Sequence, residues 1–384
     1  YATVGNDAPW GSISNVYDQP SPFGSTILFS VPGTQNNPNL KPEQTISKEF
    51  GLEMAFLQNR LGFDATYYHT NTLDQILPAS VTTSTGYNST YVNAGNIENS
   101  GIEFSLYGSP IKTADFAWNV NVNFTRNRNK VLSLYNESQN LQLASFQGGV
   151  TLNATVGEPY GILKGRTWKY VNGEKLVKAN GRYDMTTTTT NNIGNVNPNW
   201  IGGINNSFRY KNVTMSFLID VKSGGSVFSL DQYYGAATGV LAESALLNDK
   251  GNPSRADIAD GGGVIMPGVK ADGTPNNIQI SATQGYFNNV FGPDQAGIFD
   301  ATVVRLRDMS LSYALPEKLL SKTPFGSLSI TANGSNLWYY APNFPKYMNF
   351  DPETNSLGVG NGKGLEFITG PSARRMGLSV RVTF

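Results

Sequence analysis

The chain has 384 residues with 28 basic and 28 acidic side chains, a balance that argues against a nucleic-acid binder, which needs a basic excess. It has no cysteine, which excludes disulfides, zinc–thiolate sites and thiol catalysis. Mean hydropathy is −0.28 and no apolar run approaches the ~20 residues of a membrane helix, yet aromatics reach 11% while charged residues are only 15%, against about 25% in a typical globular chain.

In chain order, Tyr1-Ala2-Thr3-Val4 reads as the end of a strand, and with no initiator Met or signal peptide a processed or partial chain is expected. Strict period two then appears in paired segments. Ile46, Phe50, Leu52, Met54 and Phe56 share one face, opposite Ser47, Glu49, Gly51, Glu53 and Ala55. After a tight turn at Gln58-Asn59-Arg60, Leu61, Phe63, Ala65 and Tyr67 oppose Gly62, Asp64, Thr66 and Tyr68. Ile102, Phe104 and Leu106 form the next apolar face, against Glu103, Ser105 and Tyr107. In its partner, Phe116, Trp118, Val120, Val122 and Phe124 alternate with Ala117, Asn119, Asn121, Asn123 and Thr125. A third pair covers 199–209 and 213–222, joined by Tyr210-Lys211-Asn212, and a fourth covers 301–314 and 326–337. The last segment alternates Met376, Leu378, Val380, Val382 and Phe384 with Arg375, Gly377, Ser379, Arg381 and Thr383. The total is an incomplete opening strand and nine full ones.

Alternation means one apolar and one polar face. A soluble sandwich and a membrane barrel both satisfy it, and the strand pattern by itself does not separate them. Three features favour the barrel. The strands run to about ten residues, the spanning length of a tilted membrane strand, whereas soluble strands average about five or six. The polar faces carry Asn, Ser, Thr, Glu and Arg throughout, as a wet lumen allows. Short turns alternate with long connections, expected to be structureless, at 72–95, 127–197, 223–299 and 339–370, the pattern of periplasmic turns and external loops. The fold class expected is an all-β antiparallel transmembrane barrel. Neither strand–helix alternation nor helical heptads are seen, and Thr186–Thr190 with Asn191-Asn192 reads as a polar loop tip.

The lone histidine, His69, forbids a two-histidine metal site and reads as a surface or interfacial residue. Glu49 and Glu53 lie on one strand face roughly 13 Å apart at about 3.3 Å per residue, too far for glycosidase geometry, and read as lumen-lining acids. Gly358-Val359-Gly360-Asn361-Gly362-Lys363-Gly364 lacks the strand and helix of a phosphate loop and reads as a flexible external loop. Aromatics gather at loop entrances: Trp168, Tyr233-Tyr234 and Trp338-Tyr339-Tyr340. An interfacial girdle explains Trp338 and Tyr339 without any ligand. Stacking on sugars or peptides is the other reading, with Tyr233, Tyr234 and Tyr340 as the candidate substrate-binding residues. No catalytic residue, metal or cofactor is expected, and the chain is expected not to be an enzyme.

Several stretches resemble a known family. Asn37-Pro38-Asn39-Leu40-Lys41-Pro42-Glu43 followed by Glu49-Phe50-Gly51-Leu52-Glu53 resembles a signature of TonB-dependent receptor barrels. Tyr91 through Glu103, Val156-Gly157-Glu158-Pro159-Tyr160-Gly161, Phe208-Arg209-Tyr210-Lys211-Asn212, Val304-Arg305-Leu306-Arg307-Asp308 before Leu311-Ser312-Tyr313, and the opening Val4-Gly5-Asn6-Asp7 resemble the SusC/RagA group of those transporters. The terminal Phe384 resembles the outer-membrane assembly signal. The resemblance implies that residues 1–384 are the C-terminal part of a roughly 22-strand barrel. It implies a cell outer-membrane location and TonB-dependent import of glycan or peptide oligomers. The partners it implies are a SusD-like lipoprotein, the TonB complex, outer-membrane lipid and the remaining barrel with its plug. The plug and TonB-contacting segment find no match in this chain. A passive porin or structural barrel, or a soluble β-rich glycan-binding protein, are the alternatives.

Overall fold

The computed structural model describes residues 1–285, 293–344, 351–353, 355–356, 362–367, 369 and 372–384. Ten strands form one antiparallel sheet in simple chain order. They are β1 (Ala2–Asn6), β2 (Glu43–Phe56), β3 (Leu61–Leu73), β4 (Gly95–Lys112), β5 (Phe116–Leu134), β6 (Trp200–Tyr210), β7 (Val213–Ser223), β8 (Val303–Ala314), β9 (Ser327–Tyr340) and β10 (Arg375–Thr383). This matches the expected count of one incomplete and nine full strands. β4 and β5, at 18 and 19 residues, run well beyond their alternating stretch. β1 and β10 are the two edges and do not pair with each other.

Register makes the two faces continuous. Phe50–Tyr67–Ile102, Leu52–Ala65–Phe104–Phe124 and Met54–Phe63–Leu106–Val122–Ile204 are rows of directly paired residues crossing three to five strands. Farther along, Met215 faces Leu311, Leu311 faces Ala332 and Ala332 faces Leu378. Rings stack along this outer face, Phe56–Phe63–Phe104 at 6.3 and 6.2 Å and Trp118–Phe208–Phe217 at 5.7 and 6.2 Å. Asn206 is a polar intruder on the face, and the Trp118 indole donates to its Oδ1 at 3.1 Å, so the amide oxygen is not left bare against hydrocarbon. The inner face carries Glu49, Glu53, Asp64, Glu103, Asn119, Asn121, Asn205 and Ser216. Two tyrosines lie flat on it over glycines: a Cβ on Gly101 would meet the Tyr68 hydroxyl at 2.4 Å, and one on Gly62 would meet the Tyr107 ring at 2.3 Å.

Turns at one end are 57–60, 113–115, 211–212 and 315–326, while the other end carries 7–42, 74–94, 135–199, 224–302 and 341–374. The first end is periplasmic and the second external by the outer-membrane rule. The long connections are not structureless. They build a four-stranded sheet of 191–195, 162–165, 151–155 and 140–145, and a three-stranded sheet of 298–300, 226–229 and 365–366. They also hold a helix, α1 (Leu230–Thr238). The packed apolar core lies here, around Phe146, Val150, Leu152, Leu163, Ile193, Phe228, Leu230 and Leu365. The wall needs no such core because its apolar face is turned outward. Asn191 and Asn192, read as a loop tip, start a strand instead, paired with Gly165 and Lys164. The Asn191 side chain donates to Gly165 O at 3.3 Å, which supplies the partner a free loop would lack. In the glycine-rich stretch, 358–361 lie outside the described residues. Gly362–Gly364 form a turn, with Gly364 O accepting from Phe228 N at 2.7 Å.

Candidate functional site

One ionic cluster ties the external cap to the inner wall, and a second, ionic and aromatic, lies within the cap. The first arises from a β-bulge. β8 slips register between Leu306 and Asp308 against both β7 and β9. A bulge re-aims side chains, and here it lets Arg305, Arg307 and Asp308 all serve the inner face. Arg305 is 1% exposed, and its Nη2 lies 2.5 Å from Asp351 Oδ1 and 3.4 Å from Glu353 Oε2. Arg307 Nη2 reaches Asp220 at 2.5 Å and the same Glu353 at 2.9 Å. The Arg305 guanidinium also sits 5.3 Å from the Tyr339 ring centroid. The connection after β9 is therefore bolted to the inside of the wall. Burial alone would push the Asp351 carboxyl up, but its hydrogen bonds from Arg305 and the Glu353 amide outweigh that and hold it below the usual carboxylate range. None of these roles was legible in Val304-Arg305-Leu306-Arg307-Asp308, because strict alternation hides a bulge.

The second cluster surrounds α1. Ser229 caps it, accepting from Gln232 N at 3.0 Å, and Gly239 closes it in the left-handed region at φ 69°. Ser229-Leu230-Asp231-Gln232 is the S-x-x-Q sequence of a helix start, a signal present in the chain but not drawn out of it. Tyr233 is 6% exposed, its ring 6.3 Å from Phe228 and 5.4 Å edge-on to Tyr234. Tyr234 is 39% exposed; its hydroxyl donates to Gln147 at 2.9 Å and its ring tilts against Phe367 at 6.2 Å. Beside them Asp294, fully buried, accepts from Arg166 Nη2 at 2.6 Å and Arg166 N at 2.7 Å, and that hydrogen bonding raises the Arg166 pKa. The Tyr233 hydroxyl is raised by burial.

The structure thus brings Tyr233 and Tyr234 together and sets Tyr340 elsewhere. Tyr340 pairs with Val304 on the outward face, stacked on Trp338 at 6.5 Å and 10°. Tyr339, read as a girdle residue, faces inward to Arg305. Trp168 is engaged by Lys175, whose Nζ is 3.7 Å from its ring centroid. His69 is on the outward face opposite Lys48 and Ser100, 3.9 Å from Glu98.

One further tie joins the cap. Glu366 is fully buried and accepts from Ser229 Oγ at 2.5 Å. Burial, reinforced by Asp231, raises its pKa. A raised carboxyl favours the folded cap below the ordinary carboxylate range, and that contribution is lost as pH climbs through the raised value. Hydrogen exchange of 229–238 is expected to quicken with pH more steeply than the chemical rate, and Glu366→Gln is expected to flatten that excess. An unchanged profile in the variant would show the tie is not titrating.

A family description, TonB dependent receptor-like, beta-barrel, matches residues 4–200, just over half the chain. The chain belongs to this family. Such receptors are outer-membrane proteins, so the wall is a transmembrane one and a soluble β-rich protein is set aside. TonB-dependent receptor P3 of Formosa agariphila is 26% identical over 376 residues, covering 91% of this chain and 35% of that protein. TonB-dependent receptor P26 of the same organism is 27% identical over 380 residues, covering 92% and 36%. TonB-dependent receptor SusC of Bacteroides thetaiotaomicron is 33% identical over 135 residues, 34% of this chain and 13% of that one. The RagAB peptide transporter superposes with a TM-score of 0.71 at 19% identity over the whole chain and 40% of the matched one. This TonB-dependent receptor chain thus spans little more than a third of the length of P3 and P26, and its ten strands form part of a larger barrel.

Proposed function

We propose that the receptor carrying this chain imports oligomeric nutrients, glycans or peptides, across the outer membrane by TonB-dependent active transport, together with a SusD-like surface lipoprotein. The remaining strands, the plug and the TonB contact belong to the rest of the receptor. Both edges of the ten-strand sheet support this, because unpaired edge groups are not tolerated in lipid. The observation that carries the reading is the ordered cap bolted to a polar inner wall, since binding groups concentrate on loops held by a rigid scaffold. We assign the substrate contact to Tyr234, exposed and held by Gln147, with Tyr233 as its support. Tyr340 belongs to the membrane interface. RagAB is described as a peptide transporter, which favours peptides among the candidates.

Tyr234→Ala in the intact receptor is expected to lower uptake about three- to tenfold, the scale of one aromatic contact, with receptor abundance unchanged. Unchanged uptake would remove Tyr234 from the path. Uptake is also expected to cease in cells lacking TonB; persistence there would make the barrel a passive channel.

A further inference from the structure

Above the apolar band, the outward face of β2–β5 changes character. Phe50, Tyr67 and Ile102 form the last apolar row, and its fourth member, on β5, is Arg126. The next row is Lys48–His69–Ser100–Arg128, and beyond it Glu98 pairs with Lys130. Lys48, Arg126, Arg128 and Lys130 are all exposed, and none has an ion pair among the described residues. Glu98 is the one acid in these rows, and it lies 3.9 Å from His69. Arg128 is aimed by its Nη1, which donates to Asn199 O at 3.0 Å and Asn127 O at 3.1 Å.

The depth of this patch is set independently. From Phe116 to Arg126 is ten residues, which at about 3.3 Å per residue and a tilt of about 40° climbs about 25 Å, the height of the apolar band. Trp200 marks the same level, packed on Phe124 at 5.8 Å one residue beyond the Ile201–Thr125 pair. Interfacial tryptophan sits at headgroup depth. Next along the wall at this level Trp200 faces Ser223, and neither carries a charge.

We propose that Arg126, Arg128 and Lys130, with Lys48 beside them, hold the phosphate groups of an outer-leaflet glycolipid against the outside of β2–β5. Guanidinium forks match phosphate geometry. The apolar rows beneath Arg126 lie where the acyl chains of the same lipid run. The site depends on the membrane placement of the wall and not on the import reading.

The test is native mass spectrometry of the intact receptor in neutral detergent. The probes are a phosphorylated acylated disaccharide of the lipid A type, its dephosphorylated form, and inorganic phosphate as competitor. The phosphorylated lipid is expected to remain bound. The R126Q/R128Q/K130Q variant and the dephosphorylated lipid are each expected to reduce retention by about tenfold or more. Millimolar inorganic phosphate is expected not to displace the lipid. Equal retention by variant and parent, or of both lipids, overturns the proposal. Displacement by inorganic phosphate overturns the lipid source, leaving a site for free anions. Heat-shifted gel mobility checks that the variant is folded; should it fail, Arg126→Gln and Arg128→Gln singly give the same comparison.

Discussion

Replacing Arg305 with alanine is expected to free the connection after β9 from the wall, at a cost of about 3 kcal/mol. Breaking a buried pair costs about 3–5 kcal/mol because the abandoned charge stays buried. The lower figure applies because Arg307 still reaches Glu353. Asp351, 3% exposed, is the stranded partner. Arg307→Ala is the matched control. Its pairs are 32% and 24–29% exposed, so it is expected to cost about 1 kcal/mol or less. Limited proteolysis of 341–374 in the folded receptor reads both, with cleavage about a hundredfold faster in Arg305→Ala at about 1.4 kcal/mol per tenfold. Equal cleavage of variant and parent would show that Arg305 does not hold the segment. The tie also has a pH sign. Asp351 sits below the usual carboxylate range, so its contribution is present at neutral pH and lost as pH falls through the depressed value. Glu366 is shifted in the opposite direction, so the two carboxyls of this segment contribute to stability with opposite pH dependence.

Val120→Arg is expected to cost about 2–4 kcal/mol in folding into lipid vesicles, the penalty for a cation at the bilayer midplane. Val120 lies between Gly108 and Asn206 in register, midway along the outward run from Trp118 to Val122. Asn121→Arg, one residue on and facing the lumen, is expected to change stability by about 0.5 kcal/mol at most. A tolerated arginine at 120 with a costly one at 121 would invert the two faces.

The wall was legible in the sequence because side-chain alternation is local geometry. Phe116 through Thr125 states which residues share a face whatever the neighbouring strand is, and the short turns state which strands pair. Length asymmetry of the connections added the direction across the membrane. The α1 start was also local, written in Ser229 and Gln232, yet it was hidden inside a connection expected to be structureless. The cap itself was not readable. Its strands are two to six residues long, too short for a periodicity, and Asn191–Asn195 is a strand only because Ile162–Gly165 lies beside it. Tyr233, Tyr234 and Tyr340 looked alike as loop-entrance aromatics. Tertiary structure separated them, burying the first, anchoring the second on Gln147 and turning the third outward against Trp338. The ties that define the site join Arg166 to Asp294, 128 residues away, and Ser229 to Glu366, 137 residues away. Period and turn chemistry act over a few residues, whereas pairing across such separations depends on where the wall brings the loops, and that only the folded chain decides.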